Sequence, residues 1–266
     1  MTIRTHRVWG LMAWAAIAFV CVAAGCSGSG SRPAAPTPAA PAELTLDLGG
    51  GATMKMVLIR PGKFMMGDGK DQHEVTISKP FYMGVTEVTQ AQYEAVMGTN
   101  PSDFKGATNP VETVSWNDAT EFCKKLPEKT RQTVRLPTEA EWEYACRAGT
   151  QTAFSFGDDP SALGDYAWHM DNGKMMTHPV GQKRPNAWGL YDMHGNVWEW
   201  CADWYGEYPK GPVTDPSGPA TASGDRVLRG WSWCSSGAAC FRCAYRGNRD
   251  PADRDYRHGF RCTRTL

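Results

Sequence analysis

The chain predicts an α+β fold in a single domain, poor in regular secondary structure and rich in long loops, and three observations predict it. Twenty-eight glycines and 18 prolines among 266 residues favour many turns over long helices. Short apolar runs broken by Pro-Gly lie in the first part of the chain, and three short stretches after them carry helix punctuation. Between residues 149 and 189, and again between 205 and 224, no period of 2 or 3.6 persists. Loops of that length need cross-links or a bound ion to hold them.

The apolar share, 41%, suffices for one sizeable core. Lys+Arg number 28 and Asp+Glu 28, so no net charge draws the protein to nucleic acid or to an anionic membrane through bulk electrostatics. Eleven tryptophans are the unusual feature, and most are expected in the core.

Residues 1–25 read as an export signal: a basic start (Arg4, His6, Arg7), an apolar run from Val8 to Ala24, then Gly25. The run is short for a membrane span. Ala23-Ala24-Gly25-Cys26 resembles a bacterial lipobox, which makes Cys26 the expected lipidation site; simple secretion with cleavage nearby is the alternative. Residues 26–42, Pro/Ala/Ser-rich, read as a tether, and 43–266 as the domain. The expected location is the bacterial cell envelope, at the periplasmic or outer-membrane face, with the lipid as the only membrane contact.

Met56 to Gly67 reads as two short strands around Pro61-Gly62, and Glu74 to Ile77 and Phe81 to Met83 continue the pattern. Thr89 and Gln92 cap a helix that buries Tyr93, Val96 and Met97 and stops at Gly98. Ser115 and Asp118 cap a second, with Trp116, Ala119, Cys123 and Leu126 on one side. Thr138 and Glu141 cap a third, burying Trp142, Ala145 and Cys146. Glu139, Glu141 and Glu143 are read as capping and dipole residues of that helix rather than catalytic acids. The C-terminal segment from Arg226 is crowded with arginine, expected to pair with Asp192, Glu199 and Asp203. No dinucleotide fingerprint, phosphate loop or zinc-protease motif occurs. The domain histidines His73, His169, His178, His194 and His258 are scattered and are read as structural.

The chain is organised around Gly189-Leu190-Tyr191-Asp192-Met193-His194-Gly195-Asn196-Val197-Trp198-Glu199-Trp200-Cys201-Ala202-Asp203-Trp204. Asp192, Asn196 and Glu199 are spaced to offer side-chain oxygens around the Gly195 turn, as a hard cation requires; a tryptophan-rich strand-turn-strand with solvated acids is the plainer alternative. With Arg135-Leu136-Pro137-Thr138-Glu139-Ala140-Glu141-Trp142 upstream and Gly259-Phe260-Arg261 near the end, this stretch resembles the formylglycine-generating enzyme, or sulfatase-modifying factor, family. The likeness runs from about Met56 to the C-terminus. It implies a single domain of that type, related to the C-type-lectin fold, and a calcium ion held by Asp192 and Glu199 through side chains and by Gly195 and Val197 through carbonyls.

Without Cys21 and Cys26, seven cysteines remain, an odd number, so an exported form leaves at least one outside any internal disulfide. The resemblance implies disulfides Cys123–Cys262 and Cys146–Cys243. Cys201, Cys234 and Cys240 then decide the function. The family's enzymes use O₂ and copper(I), held by two thiolates, to oxidise a cysteine in an unfolded sulfatase; here the resemblance makes Cys234 and Cys240 the ligands, with Ser232 and Trp198 shaping the oxygen pocket. Non-enzymatic relatives pair cysteines at positions like Cys201 and Cys240, which breaks the copper pair. The favoured expectation is a surface binding or assembly protein for a peptide or glycan, with Ca²⁺ and no Cu(I). The alternative is the copper- and O₂-dependent oxidase, whose partner is an unfolded sulfatase.

Overall fold

The computed structural model describes residues 42–221 and 224–266; the expected signal, tether and Cys26 lie outside the described residues. Fifteen strands and α-helices follow in order: β1 (Glu43–Gly49), β2 (Ala52–Ile59), β3 (Gly62–Met66), β4 (His73–Ile77), β5 (Phe81–Gly84), α1 (Gln90–Met97), α2 (Trp116–Thr130), α3 (Glu139–Arg147), α4 (Leu163–Tyr166), β6 (Trp198–Trp204), β7 (Val213–Thr214), β8 (Arg226–Arg229), β9 (Arg246–Arg249), β10 (His258–Gly259) and β11 (Thr263–Thr265). They form three small sheets, ordered β1-β2-β5-β11, β10-β6-β8-β9 and β3-β4-β7. The C-terminal strand β11 runs antiparallel to β5, which closes the first sheet with the two ends of the domain.

Local chemistry explains the regular parts. β1 and β2 turn at three consecutive glycines, Gly49 to Gly51, all at positive φ. Each of α1, α2 and α3 begins with a complete capping box: Thr89 with Gln92, Ser115 with Asp118, Thr138 with Glu141. Gly98, in the left-handed region, ends α1. In α2 the buried face is Ala119, Phe122, Cys123 and Leu126. Trp116, expected among them, is only half-buried, and its Nε1 donates to the Cys201 carbonyl at 2.8 Å.

The core has three parts. The first gathers β1, β2, α1 and α2 around Trp198, Trp200 and Phe260. A second joins β3, β4 and α3 with Leu190, Met193, Cys201 and Cys243. The third, under the long loop, is Phe154, Leu163, Ala167 and Phe241. β6 sits between the first two clusters, contributing Trp198 and Trp200 to one and Cys201 to the other. That alternation is what a strand with two buried faces requires. The stretches 149–189 and 205–224 carry only a single helical turn each of α4 and a 3₁₀ helix, and the two-residue β7, in their described parts.

Candidate functional site

The turn before β6 is built from residues that tolerate left-handed backbone: Asp192 at φ 59° and Asn196 at φ 69°. Gly195 is required for space, since a Cβ there would come within 2.4 Å of the Trp168 carbonyl oxygen. Asn196, read above as a cation ligand, is a bracket instead. Its amide donates to Glu87 at 3.0 Å and to the His178 carbonyl, while its Oδ1 accepts from His178 N–H at 3.0 Å.

Glu199 is fully buried and committed. Arg261 grips it at 2.6 and 2.7 Å, and Trp142 Nε1 donates to it at 2.8 Å. Of the expected calcium set of Asp192, Gly195, Val197 and Glu199, the last carboxylate is thus already engaged by three donors. One Asp192 oxygen accepts from Gly181 N–H at 2.7 Å and the other, Oδ1, is buried with no hydrogen-bond partner among the described residues. Glu87 is a third buried carboxyl beside them, unnoticed in the sequence because nothing marks it locally. Burial pushes Glu87 well above the ordinary carboxylate range, and the neighbouring Asp192 and Glu199 push it further. Asp192 is pushed up to about 6, first by burial. Three carboxyls thus share the single guanidinium of Arg261 at this turn, a chemistry that suits an added hard cation at Asp192.

All seven described cysteines carry free thiols. The expected partners Cys123 and Cys262 are neighbours, their sulfurs 3.9 Å apart. Cys146 and Cys243 lie with His194 in one buried group whose ligand atoms fall within 4.8 Å of each other. His194 also accepts a hydrogen bond from the Ser155 amide, and burial lowers it to about 4, so it stays neutral inside the third cluster's edge.

Cys201 and Cys240 are not brought together. Cys201 is buried in the second cluster with its sulfur 4.0 Å from the Glu199 carbonyl, whereas Cys240 is half-buried against the third. Among the residues expected at a copper site, Ser232 and Cys234 do meet, Oγ to Sγ at 3.2 Å. A guanidinium nitrogen of Arg257 also lies 4.0 Å from that sulfur. Cys240 is absent from Cys234's hydrogen-bonding partners. Trp198 faces Trp231, ring centroids 4.5 Å apart, and Trp231 in turn meets Tyr245 at 4.8 Å. Trp231 adopts φ 61°, an uncommon conformation for a bulky residue, and its ring fills the space in front of Trp198.

The arginine-rich segment forms a buried lattice. Arg229 contacts Glu143 at 2.5 Å and Glu139 at 3.4 Å, Arg147 contacts Glu143 at 2.8 Å, and Arg246 holds Glu139 in a bidentate pair at 2.7 Å. Glu139 and Glu141 lie in the first turn of α3, as expected; Glu139 is an ion-pair partner as well, Glu143 is one further along the helix, and Glu141 caps the helix and adds Arg135 at 2.7 Å. Of the three acids expected to pair with arginine, Glu199 does. Asp192 and Asp203 accept backbone N–H groups, from Gly181 and Glu139.

Against this lattice opens a cavity of about 270 Å³, walled by Met66, His73, Asp203, Tyr208, Pro216 and Pro219 among others. It adjoins a wider cleft of about 960 Å³ that shares His73, Glu207, Tyr208 and Arg246 with it. Sequence reading missed this cavity because its walls come from five separated segments. The tyrosines and prolines of the 205–219 stretch were the available signal.

The sulfatase-modifying factor enzyme 1-like domain matches residues 49–266. The formylglycine-generating enzyme of Streptomyces coelicolor is 39% identical over 178 residues, covering 60% of this chain and 54% of that one. The chain thus spans about half the length of that relative. A chaperone protein, LppX, of Paenibacillus barcinonensis is 32% identical over 231 residues, covering 68% of this chain and 79% of that one. Among solved structures, Treponema denticola variable protein 1 superposes with a TM-score of 0.80 at 33% identity, covering 85% of this chain and 100% of its own. PvdO from Pseudomonas aeruginosa gives 0.75 at 30% identity, covering 86% and 100%. With its sequence match running over most of the domain and its fold shared with these structures, the chain belongs to the formylglycine-generating enzyme, or sulfatase-modifying factor, family.

Proposed function

We propose that this member of the family is a binding protein, holding extended peptide or unfolded protein on its surface, and not a thiol oxidase. The observation that carries the reading is the environment of Cys234. A two-coordinate copper(I) site needs two thiolates facing one ion. Here Cys234 is engaged by the Ser232 hydroxyl, Oγ to Sγ at 3.2 Å, and faces the cationic Arg257. Trp231 fills the room before Trp198 where oxygen and a substrate thiol would meet. The likeness to a relative named as a chaperone supports peptide over glycan as the ligand.

The proposal includes export and a lipid tether at Cys26, on the strength of the N-terminal sequence, and a calcium ion at Asp192. Copper belongs only to the oxidase alternative. Two measurements on the reduced protein separate the readings: copper(I) titration against a competing chelator, and light scattering of a chemically unfolded client diluted into it. Suppressed client aggregation that survives Cys234→Ser, with no tight copper, is the expected result. One tightly bound copper ion that is lost in both Cys234→Ser and Cys240→Ser, with a thiol-to-aldehyde mass change in a sulfatase-type cysteine peptide, would overturn it.

A further inference from the structure

We propose that the cavity between His73, Asp203 and the 205–219 loop receives a primary ammonium group on an apolar stem, the side chain of a lysine in a peptide lying along the adjoining cleft. This deepens the peptide-binding reading and rests on it for the peptide, though not for the amine.

The cavity asks for a hydrogen-bond donor. His73 is buried, with 6% of its surface exposed, and its Nδ1 lies 3.0 Å from the Asp71 carbonyl. A carbonyl only accepts, so Nδ1 donates there, and Nε2 is the ring nitrogen free to accept from a ligand. That nitrogen has no hydrogen-bond partner among the described residues. An unsatisfied buried acceptor costs free energy that a donor from a ligand recovers.

The charges around the cavity favour a cation over a neutral donor. Asp203 lines it, and Glu207 stands exposed at the mouth it shares with the cleft. Among the described residues the wall's one cation, Arg246, is already neutralised by its bidentate pair with Glu139, and its faces are covered by Tyr205 and Tyr208 at 4.4 and 4.1 Å. Asp203, pushed up to about 7 by burial, and Glu207 form no ion pair among the described residues, and an entering cation favours the ionised form of Asp203. Much of the remaining wall is apolar, with Met66, Pro209, Pro216 and Pro219 offering contact to a methylene stem, while Ser217 adds one hydroxyl.

The geometry also orders stem and head. The narrow cavity opens into the broad cleft along Gly206 to Pro209, so a chain in the cleft can drop one long side chain inward. Lysine reaches where a shorter cation would not, and its compact ammonium donates three hydrogen bonds.

The test is a titration of the full-length protein, with ¹⁵N-labelled histidine, by Nα-acetyl-lysine methylamide, its norleucine isostere and spermidine. The lysine amide is expected to shift the His73 ring nitrogens saturably and norleucine not to. His73→Phe, which keeps a ring packed against Tyr208, should weaken lysine-peptide binding by about tenfold, the loss of one charge-assisted hydrogen bond. Glu207→Gln, on the surface and safe for folding, should weaken it several-fold. Norleucine binding as well as lysine, or an unresponsive His73, overturns the proposal. Spermidine alone moving His73 overturns the peptide part and makes the site one for free polyamines. The two readings fail separately: a client held equally well after lysine acetylation sinks the pocket and spares the binding function. A lysine-responsive His73 with no client held does the reverse.

Discussion

Asp203 is buried against the backbone N–H of Glu139 at 2.8 Å, and burial, with Glu139 and Glu141 nearby, pushes its carboxyl up to about 7. Its value in the folded protein lies above the unfolded one, so folding favours the neutral acid. That contribution is complete below about 4 and is lost as pH rises through 7. Thermal stability of the wild type is therefore expected to decline by a few kcal/mol between pH 5 and 8 relative to Asp203→Asn, whose amide oxygen still accepts from Glu139. Parallel curves for the two proteins across that window would contradict the assignment. Asp192, pushed up to about 6, acts in the same direction and is cancelled in the comparison. The sequence marked Asp192 as a cation ligand and Asp203 as an arginine partner, but not their burial beside other carboxyls, which only the fold sets.

The turn that delivers the chain into β6 is the element on which the calcium proposal stands. A turn at Gly195 flanked by Asp192 and Asn196 was legible, and the turn is there, with Asp192 and Asn196 in left-handed backbone. What each oxygen faces was not legible. Glu199 is spaced as a ligand, but Arg261, 62 positions away, takes both of its oxygens. With Asp192 Oδ1 unpartnered and neither Glu87 nor Asp192 in an ion pair among the described residues, added calcium should raise the melting temperature of chelator-treated protein, and Asp192→Ala should abolish that rise. Calcium stabilising the variant as much as the wild type would remove the ion from this turn.

At the scale of the molecule, the fold joins distant ends through side chains. Cys123 in α2 and Cys262 just before β11 are 139 positions apart and meet at 3.9 Å, while Cys146 meets Cys243 beside His194. Under oxidising conditions the first pair is expected to add about 2–4 kcal/mol by restricting the unfolded chain. The denaturant midpoint should fall on reduction, and Cys123→Ser should show a smaller fall; equal falls would mean that this pair does not bond. The sequence by itself determined the family, the α+β class, the three capped helices and the loop-rich C-terminal half, because capping and turn chemistry act over three or four residues and can be read there. It could not determine that Glu139 and Glu143 also pair with Arg229 and Arg246, that Cys201 and Cys240 lie in different clusters, that Trp231 packs against Trp198, or that His73 and Asp203 wall one cavity. Those outcomes depend on which segments the three sheets bring together, and burial then decides which charges must be paired and which polar atoms stay open.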